Sequence, residues 1–453
     1  MAITIEVQPD KFTAVYRNIP TNWEVESSQF GSDVFAVTSV ADNGGGFCRY
    51  TIGSHVVLVD GVVTGSGFVG PISYNVRQTV TAVGATTIDT DVTFIGTDTG
   101  TITRTNDNFQ IRAQILDGAT LVGEKVAKRI DVGGNDRFRF NPANLLSSIL
   151  SHDIVDIGST NITTPNSNSI KAYTIKFIEE FDDVAGLLQQ FADLTSGIKH
   201  ALQPTRQYTD DQTLDEHVID SVSPTHKFLS HAPLIKRIGI NEEEQLSFIW
   251  DFIDEPSFAY ETFVGDVGDG VIEKSQVGIT LFRGIIPVND DLWDSTKSKV
   301  DVWLVDESSN QMTEKRRFII DQRCYAHPIR IQFFNELGGF DAYTFTGHRD
   351  QTIRTKSIEF EKDLGISFII KDRGNTTLAV KSNTIKEVWS GFLNEADRVW
   401  LTELFSSTEV FLQSGTDLIP LTGKSTSVKF IKDNGLTQLR LRYEEPIRIA
   451  QTN

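Results

Sequence analysis

The chain has 453 residues, and its 61 Asp and Glu outnumber its 42 Lys and Arg, giving a formal net charge of −19 at pH 7. A surface this acidic repels a phosphate backbone, which argues against nucleic acid as the main partner. With 39% hydrophobic residues, rich in Phe (29) and poor in Met (2), the chain has the material for packed cores rather than disorder, and its length predicts about three domains.

Cys48 and Cys324 are the two cysteines and lie far apart. That excludes a disulfide framework or a cysteine-held metal, and both read as buried small hydrophobes. The opening MAITIEVQPD lacks the basic region and apolar core of a secretory leader. No apolar run approaches the ~18 residues needed to span a bilayer, so no membrane insertion is expected.

Residues 1–152 read as an N-terminal β-sandwich. Strand-like runs fall at Val34–Val40, Phe47–Ile52, His55–Val59, Tyr74–Val83, Thr87–Ile95, Gly100–Arg104 and Phe109–Leu116. They are rich in Val, Ile and Thr and punctuated by Gly and Asp, as short antiparallel strands require. Tight spacing and Gly-rich joints at 65–70 and 96–100 mark residues 55–105 as an inserted small β-barrel. A helix should follow, with Asn141 as its cap, Pro142 at its first position and Leu145, Leu146 and Ile149 as its stripe.

A polar linker, 153–169, leads to a central sandwich over 170–345. Its first strand is Lys171–Phe181, followed by a short helix over Val184–Leu194 with Leu187, Leu188 and Phe191. Residues 198–225 are long, polar and aperiodic, which points to an extended arm laid on a neighbour. Leu234–Ile240 and Gln245–Phe252 read as a strand pair about the acidic turn Asn241–Glu244. Ser257–Val264, Val271–Phe282, Val300–Asp306 and Arg316–Ile320 bring the total to about eight antiparallel strands once the last hairpin is counted.

That hairpin is 327–347, HPIRIQFFNELGGFDAYTFTG. Ile329, Ile331 and Phe333 share one face, and Arg330, Gln332 and Phe334 the other. Asn335–Gly339 supplies the turn: Asn tolerates a left-handed backbone, and glycine reaches positive φ at little cost. Phe340–Phe345 returns as a second aromatic strand. A hairpin apolar on both sides must be covered on both, by another sheet or another subunit. Phe333, Phe334, Leu337, Phe340, Tyr343 and Phe345 are therefore the expected subunit-contact residues.

The C-terminal part, 346–453, reads as a sheet-plus-helix (α+β) domain. Its strands are Ile358–Phe360, Ser367–Ile370, Thr377–Phe392, Glu409–Leu412, Leu418–Leu421, Ser427–Ile431 and Leu436–Tyr443. Asn394 caps a helix over Glu395–Phe405, with Val399, Leu401 and Leu404 periodic and Trp400 beside them. Repeats and heptads are absent, which excludes a long fibrous shaft.

Three stretches resemble tail and baseplate proteins of bacteriophages, especially those of Bacteroidetes-type hosts. They are the hairpin pattern Phe-Asn-x-Leu-Gly-Gly-Phe-Asp-x-Tyr-x-Phe (334–345), Glu6–Asp10 with Phe138–Leu150, and Lys227–Pro233. The C-terminal layout is also similar in outline to tail-tube and distal-tail proteins. The resemblance covers a small share of the chain and implies a virion structural role. No functional residue carries over from it.

No catalytic constellation stands out. G-x-x-x-x-G-K-[ST], H-E-x-x-H and G-x-S-x-G are absent, and Thr64–Gly67 reads as a turn. His217, His226 and His231, with Asp210, Asp211, Asp215 and Glu216, could hold a metal, but their spacing fits no ligand rule. Asp266, Asp269 and Glu273 around GDVGDG could hold calcium, yet the ligand density is low for that ion. Glu179, Glu180, Asp182 and Asp183 could serve glycoside cleavage, but neighbours on one strand face opposite ways. Trp23, Trp250, Trp293, Trp303, Trp389 and Trp400 fit cores or interfaces better than a sugar platform.

The expectation is thus a mainly β, multidomain chain with antiparallel sandwiches, an inserted barrel and a C-terminal sheet-plus-helix domain. It acts as a non-enzymatic structural subunit of a phage tail or baseplate, hub- or distal-tail-like, with no cofactor or metal. Its partners are other tail proteins and copies of itself in a ring, and it is assembled in the host cytoplasm into the virion. The alternative is a receptor- or carbohydrate-binding virion protein using the inserted barrel.

Overall fold

Runs of Val, Ile, Thr and aromatic residues between Gly- and Asp-rich turns produce a mainly β chain of largely antiparallel sheets, with a few short helical turns among the described residues. The computed structural model describes residues 3–14, 22–27, 32–55, 57–70, 74–105, 107–132, 135–151, 157–158, 161–163, 169–182, 187–202, 214–274, 283–361, 375–421, 429–433 and 436–444. The chain forms two units, 1–151 with 171–202, and 152–170 with 203–453.

The first unit is a sandwich carrying an insertion. A four-stranded sheet, in the order Ile3–Val7, Trp23–Ser27, Asn135–Phe140, Lys128–Val132, faces a second sheet built on Asp107–Asp117 and Ile170–Asp182. Trp23, Val25, Phe138 and Phe140 from the former meet Ile111, Ile115, Tyr173, Ile175 and Phe177 from the latter in one core. Because Ile170–Asp182 pairs along Asp107–Asp117, it belongs to this unit and not to a separate central domain. Leu188–Thr195 is a strand paired to it, where a helix over Val184–Leu194 was expected; 183–186 lie outside the described residues. Asn141 caps a single turn, Ala143–Leu146, through its Oδ1 at 2.9 Å from the Ala143 N–H.

The inserted sheet is larger than spacing suggested, running from 32 to 105. Its seven strands lie in the order Ser32–Val37, Gly100–Thr105, Val62–Ser66, Arg77–Val83, Thr87–Thr93, Phe47–Thr51, Ser39–Asp42. The first and last of these are adjacent in sequence, separated only by Thr38, so the sheet curls until its edges nearly meet. Tyr50, Val63, Phe68, Tyr74, Ile88 and Ile102 fill it. Thr64 to Ser66 are strand rather than turn, and in the expected strand over His55–Val59 the described residues, 55 and 57–59, are not strand. Gly65 is required by close approach, since a Cβ there would lie 1.9 Å from the Tyr74 carbonyl oxygen.

The second unit begins with a true sandwich. Val218–Ile219, Glu244–Trp250 and Arg283–Val288 form one sheet; Ile235–Gly239, Arg316–Asp321, Lys299–Val305, Ser257–Val264 and Val267–Lys274 form the other. Phe248, Trp250, Ile286 and Val288 pack on Phe258, Val302, Leu304 and Phe318 between them. The expected pair about Asn241–Glu244 does not form. Ile235–Gly239 instead runs parallel to Arg316–Asp321, and Glu244–Trp250 pairs with Arg283–Val288. The short connection therefore crosses between sheets instead of closing a hairpin.

The hairpin forms as expected, Ile329–Phe334 against Phe340–Phe345, with Val410–Ser414 and Asp417–Pro420 extending its sheet. A second sheet contains Arg349–Glu361, Asn375–Trp389, Leu436–Glu444 and Lys429–Asp433. Ile331, Phe333 and Phe345 share a core with Val388, Trp400, Leu401, Leu404, Leu439 and Leu441. A boundary at 345 would cut that core in two, so the expected separate C-terminal domain does not exist. Asn394 caps the helix Glu395–Trp400 as read from sequence, its Oδ1 2.7 Å from the Asp397 N–H. The buried stripe is Trp400, Leu401 and Leu404, while Val399 is exposed. Among the described residues no helix is long and apolar enough to cross a membrane.

Candidate functional site

A buried polar network surrounds the hairpin turn. Asn335 is fully buried and works through its side chain: Oδ1 accepts the N–H groups of Leu337 (3.0 Å) and Gly339 (2.8 Å), and Nδ2 donates to the Leu229 carbonyl (2.7 Å). Gly338 takes the positive φ, +82°, whereas Asn335 does not adopt the left-handed backbone expected of it. Gly339 is fixed by contact, since a Cβ there would lie 2.0 Å from the Leu229 oxygen.

Polar residues on one face of the hairpin bind the start of strand Glu244–Trp250. Arg330 donates to Glu242 Oε2 (2.9 Å), to the Glu243 carbonyl and toward Glu244 Oε2 (3.4 Å). Glu244 also accepts the Ala342 N–H (3.1 Å) and pairs with Lys236 (2.6 Å). Lys236 donates to the Ala342 carbonyl and lies 4.5 Å from the Trp400 ring centre. Trp400 donates its indole N–H to Asp341 Oδ2 at 2.9 Å. A small cavity lined by Ser230, Lys236, Glu244, Arg316 and Asp341 adjoins these groups, with room for about one water molecule. Burial works against ionisation of Glu242, but the Arg330 charge, the Thr344 hydroxyl and the Gly239 N–H together hold its carboxyl below the usual range.

Beside this network lie His231, Glu336 and Glu403, whose ligand atoms all fall within 4.8 Å of one another. His231 Nδ1 is 2.8 Å from Glu403 Oε1, and the Glu336 main-chain N–H donates to Glu403 Oε2 at 3.0 Å. Burial pushes the Glu403 carboxyl up, opposed by the His231 contact. Burial also opposes charge on His231, but the hydrogen bond to Glu403 and the charges of Glu403, Glu336 and Asp341 outweigh it and hold the imidazole above its ordinary value. His217, whose ring centre lies 6.3 Å from that of His231, is pushed down to about 4 by burial, and its Nδ1–H donates to the Phe228 carbonyl (2.8 Å).

The six hairpin residues expected at a subunit surface lie inside this chain. Phe333, Phe334, Leu337, Phe340 and Phe345 are buried and Tyr343 half-buried. Both faces are buried within the chain: one packs on the helical turns and the second sheet, and on the other Phe334 and Phe340 cluster with Phe411 and Leu418 of the same sheet while Glu244 of strand Glu244–Trp250 accepts the Ala342 N–H. They hold layers together and present no free surface.

Of the three histidines flagged together, only His217 and His231 approach one another. His226 lies apart, 3.8 Å from Asp220; Asp215 and Glu216 are exposed, and Asp210 and Asp211 fall outside the described residues. The 198–225 stretch is no free arm where described: Lys199–Leu202 pairs with Phe12–Ala14, and Val218–Ile219 with Glu244–Trp250. Asp266, Asp269 and Glu273 engage separate partners, namely Lys299, Lys297 and Ser309. Glu179 accepts from Ser27, and burial pushes its carboxyl up. Its neighbour Glu180 pairs with Arg112 (2.6 Å), and Asp182 accepts from Asn108; Asp183 lies outside the described residues. Trp389 is half-buried, and the other five tryptophans are core. Cys48 is buried as expected, but Cys324 is exposed.

Sequence reading missed Lys236, Glu242, Glu244, Glu336, Asp341 and Glu403. The available signal was Arg330 and Gln332 on a strand apolar on both faces, because charge carried into a core requires buried partners. No protein-family model matches the chain, and no curated protein matches it.

Proposed function

We propose that the chain is a structural subunit of a larger assembly, of the kind built into bacteriophage tails and baseplates, and that its work is to bury surface against copies of itself and neighbouring tail proteins. The ribbon formed by Arg349–Glu361 and Asn375–Trp389 carries this reading. All thirteen residues of its first strand are exposed, including Ile353, Ile358 and Phe360. That strand is also the edge of its sheet, so among the described residues its outer row of backbone N–H and C=O groups faces no other strand. A long, exposed edge with apolar side chains is a template for another chain, and a two-stranded ribbon has no core of its own. Head-to-tail contacts repeated by rotation close into a ring, the arrangement expected of a hub- or distal-tail-like part in the virion.

Mass photometry of the purified chain at rising concentration tests the reading. Discrete oligomers are expected, and Ile353→Asp with Phe360→Asp should dissolve them while leaving the circular dichroism unchanged. A lone monomer at high concentration, turning over a substrate, would refute it. Glycan binding that is lost when 32–105 is removed would favour recognition by the barrel instead. That module keeps Tyr50, Phe68 and Tyr74 in its core, which leaves few aromatic faces for a sugar.

A further inference from the structure

We infer that His231, Glu336 and Glu403 bind one first-row divalent cation, zinc foremost. The three ligands come from three distant segments: the loop after Phe228, the hairpin turn, and the start of the helical turn Glu403–Ser406. Their donor atoms already lie within 4.8 Å of one another. A tetrahedral ion with bonds near 2.1 Å spaces its ligand atoms by roughly 3.4 Å, so the side chains need only small rotations.

The site is preorganised. Glu336 and Glu403 are each 4% exposed; the Glu336 main-chain N–H holds the Glu403 carboxylate, and the Asn335 side chain holds the turn that carries Glu336. Charge gives a second and separate reason. The imidazole of His231 faces three buried carboxylates, Glu336, Asp341 and Glu403. The nearby Lys236 ammonium is engaged by Glu244 and the Ala342 carbonyl. Carboxylates gathered in a low-dielectric interior are stable when a cation offsets them.

The His231 side chain is 34% exposed, which leaves an entry path and a position for water. One nitrogen and two oxygens with an open fourth position suit Zn²⁺, Mn²⁺ or Co²⁺. Calcium needs six or more oxygens.

The test uses the full-length, tag-free chain stripped with chelator. Calorimetric titration with Zn²⁺ should give one equivalent per chain, and Co²⁺ should develop the visible bands of a tetrahedral site. Glu336→Gln and His231→Gln should each weaken binding at least about tenfold, whereas His226→Gln should not change it. Glu336→Gln keeps the main-chain contact to Glu403, so the comparison survives if His231→Gln folds poorly. Absence of saturable one-to-one binding, or binding unchanged in Glu336→Gln, would overturn the inference. It is independent of the assembly reading: a chain that oligomerises and binds no metal refutes this inference alone.

Discussion

Replacing Asn335 by Ala removes three hydrogen bonds at once. The Leu337 and Gly339 N–H groups lose their acceptor and the Leu229 carbonyl loses its donor. All lie in the interior, where water cannot replace the missing partner. An unmet buried backbone group costs about 1–3 kcal/mol, so three give a loss of about 3–5 kcal/mol after some relaxation. That is a large part of the roughly 5–15 kcal/mol that holds an ordinary domain. Urea unfolding followed by tryptophan fluorescence suits the test, because five of the six tryptophans (250, 293, 303, 389 and 400) lie in the second unit. Asn335→Asp sharpens it: both acceptor bonds can persist, while the donor to Leu229 is lost and a charge is buried. This variant should be as damaged as the alanine at neutral pH and recover in acid, where the protonated carboxyl can donate again. A loss below about 1 kcal/mol for Asn335→Ala would show that the turn does not depend on this side chain, and the reasoning would fail.

Two further outcomes follow from the first unit. Gly65→Ala pushes a methyl group against the Tyr74 backbone and should cost about 1–3 kcal/mol; hydrogen exchange should show lost protection confined to the inserted sheet, 32–105, and unchanged protection there would contradict the packing. Glu24 is bound by Arg139 (2.5 Å) and Arg137 (3.4 Å), and the Arg139 hydrogen bond, opposed by burial, lowers its carboxyl from the ordinary value of 4.5. A carboxylate depressed in the folded state contributes stability above its unfolded pKa and loses it as pH falls through the folded one. Glu24→Gln should therefore be less stable at pH 7, by about 1 kcal/mol given its partly exposed partners, and should match the parent near pH 2; an equal deficit at both pH values would rule out the ion pair as its source.

Much of the strand pattern was legible because alternation is local. Ile170–Asp182 was visible from the alternation in its first half, and Phe340–Phe345 from its aromatic run after the glycine turn. What failed depended on distant partners. Leu187, Leu188 and Phe191 have helical spacing, yet the segment is a strand because Lys176–Asp182 offers an open edge to pair with. Asn241–Glu244 looked like a solvated hairpin turn, but Glu242 and Glu244 are the counter-charges of Arg330 and Lys236. For the candidate site, His231 was singled out with the wrong companions, the acidic residues adjacent in sequence. Its true neighbour Glu403 is 172 residues away, and a single sequence carries no sign of such a pairing.

The hairpin shows how a sound physical premise led to a wrong surface. Two apolar faces do require two covers, and the sequence cannot say whether those covers belong to the same chain. Here they do: Trp400 and Leu404 close one side, and the contacts of Arg330 and Ala342 with Glu244 lock the other. A core element held this way on both sides cannot open to bind a neighbour without breaking several buried polar contacts, each costly to leave unmet. Any contact surface must therefore lie where backbone and apolar groups remain uncovered, and the ribbon strand Arg349–Glu361 meets that condition along its whole length. If assembly-blocking substitutions map to Ile353 and Phe360 while hairpin substitutions only destabilise the monomer, stability and association are divided between these two neighbouring parts of one unit.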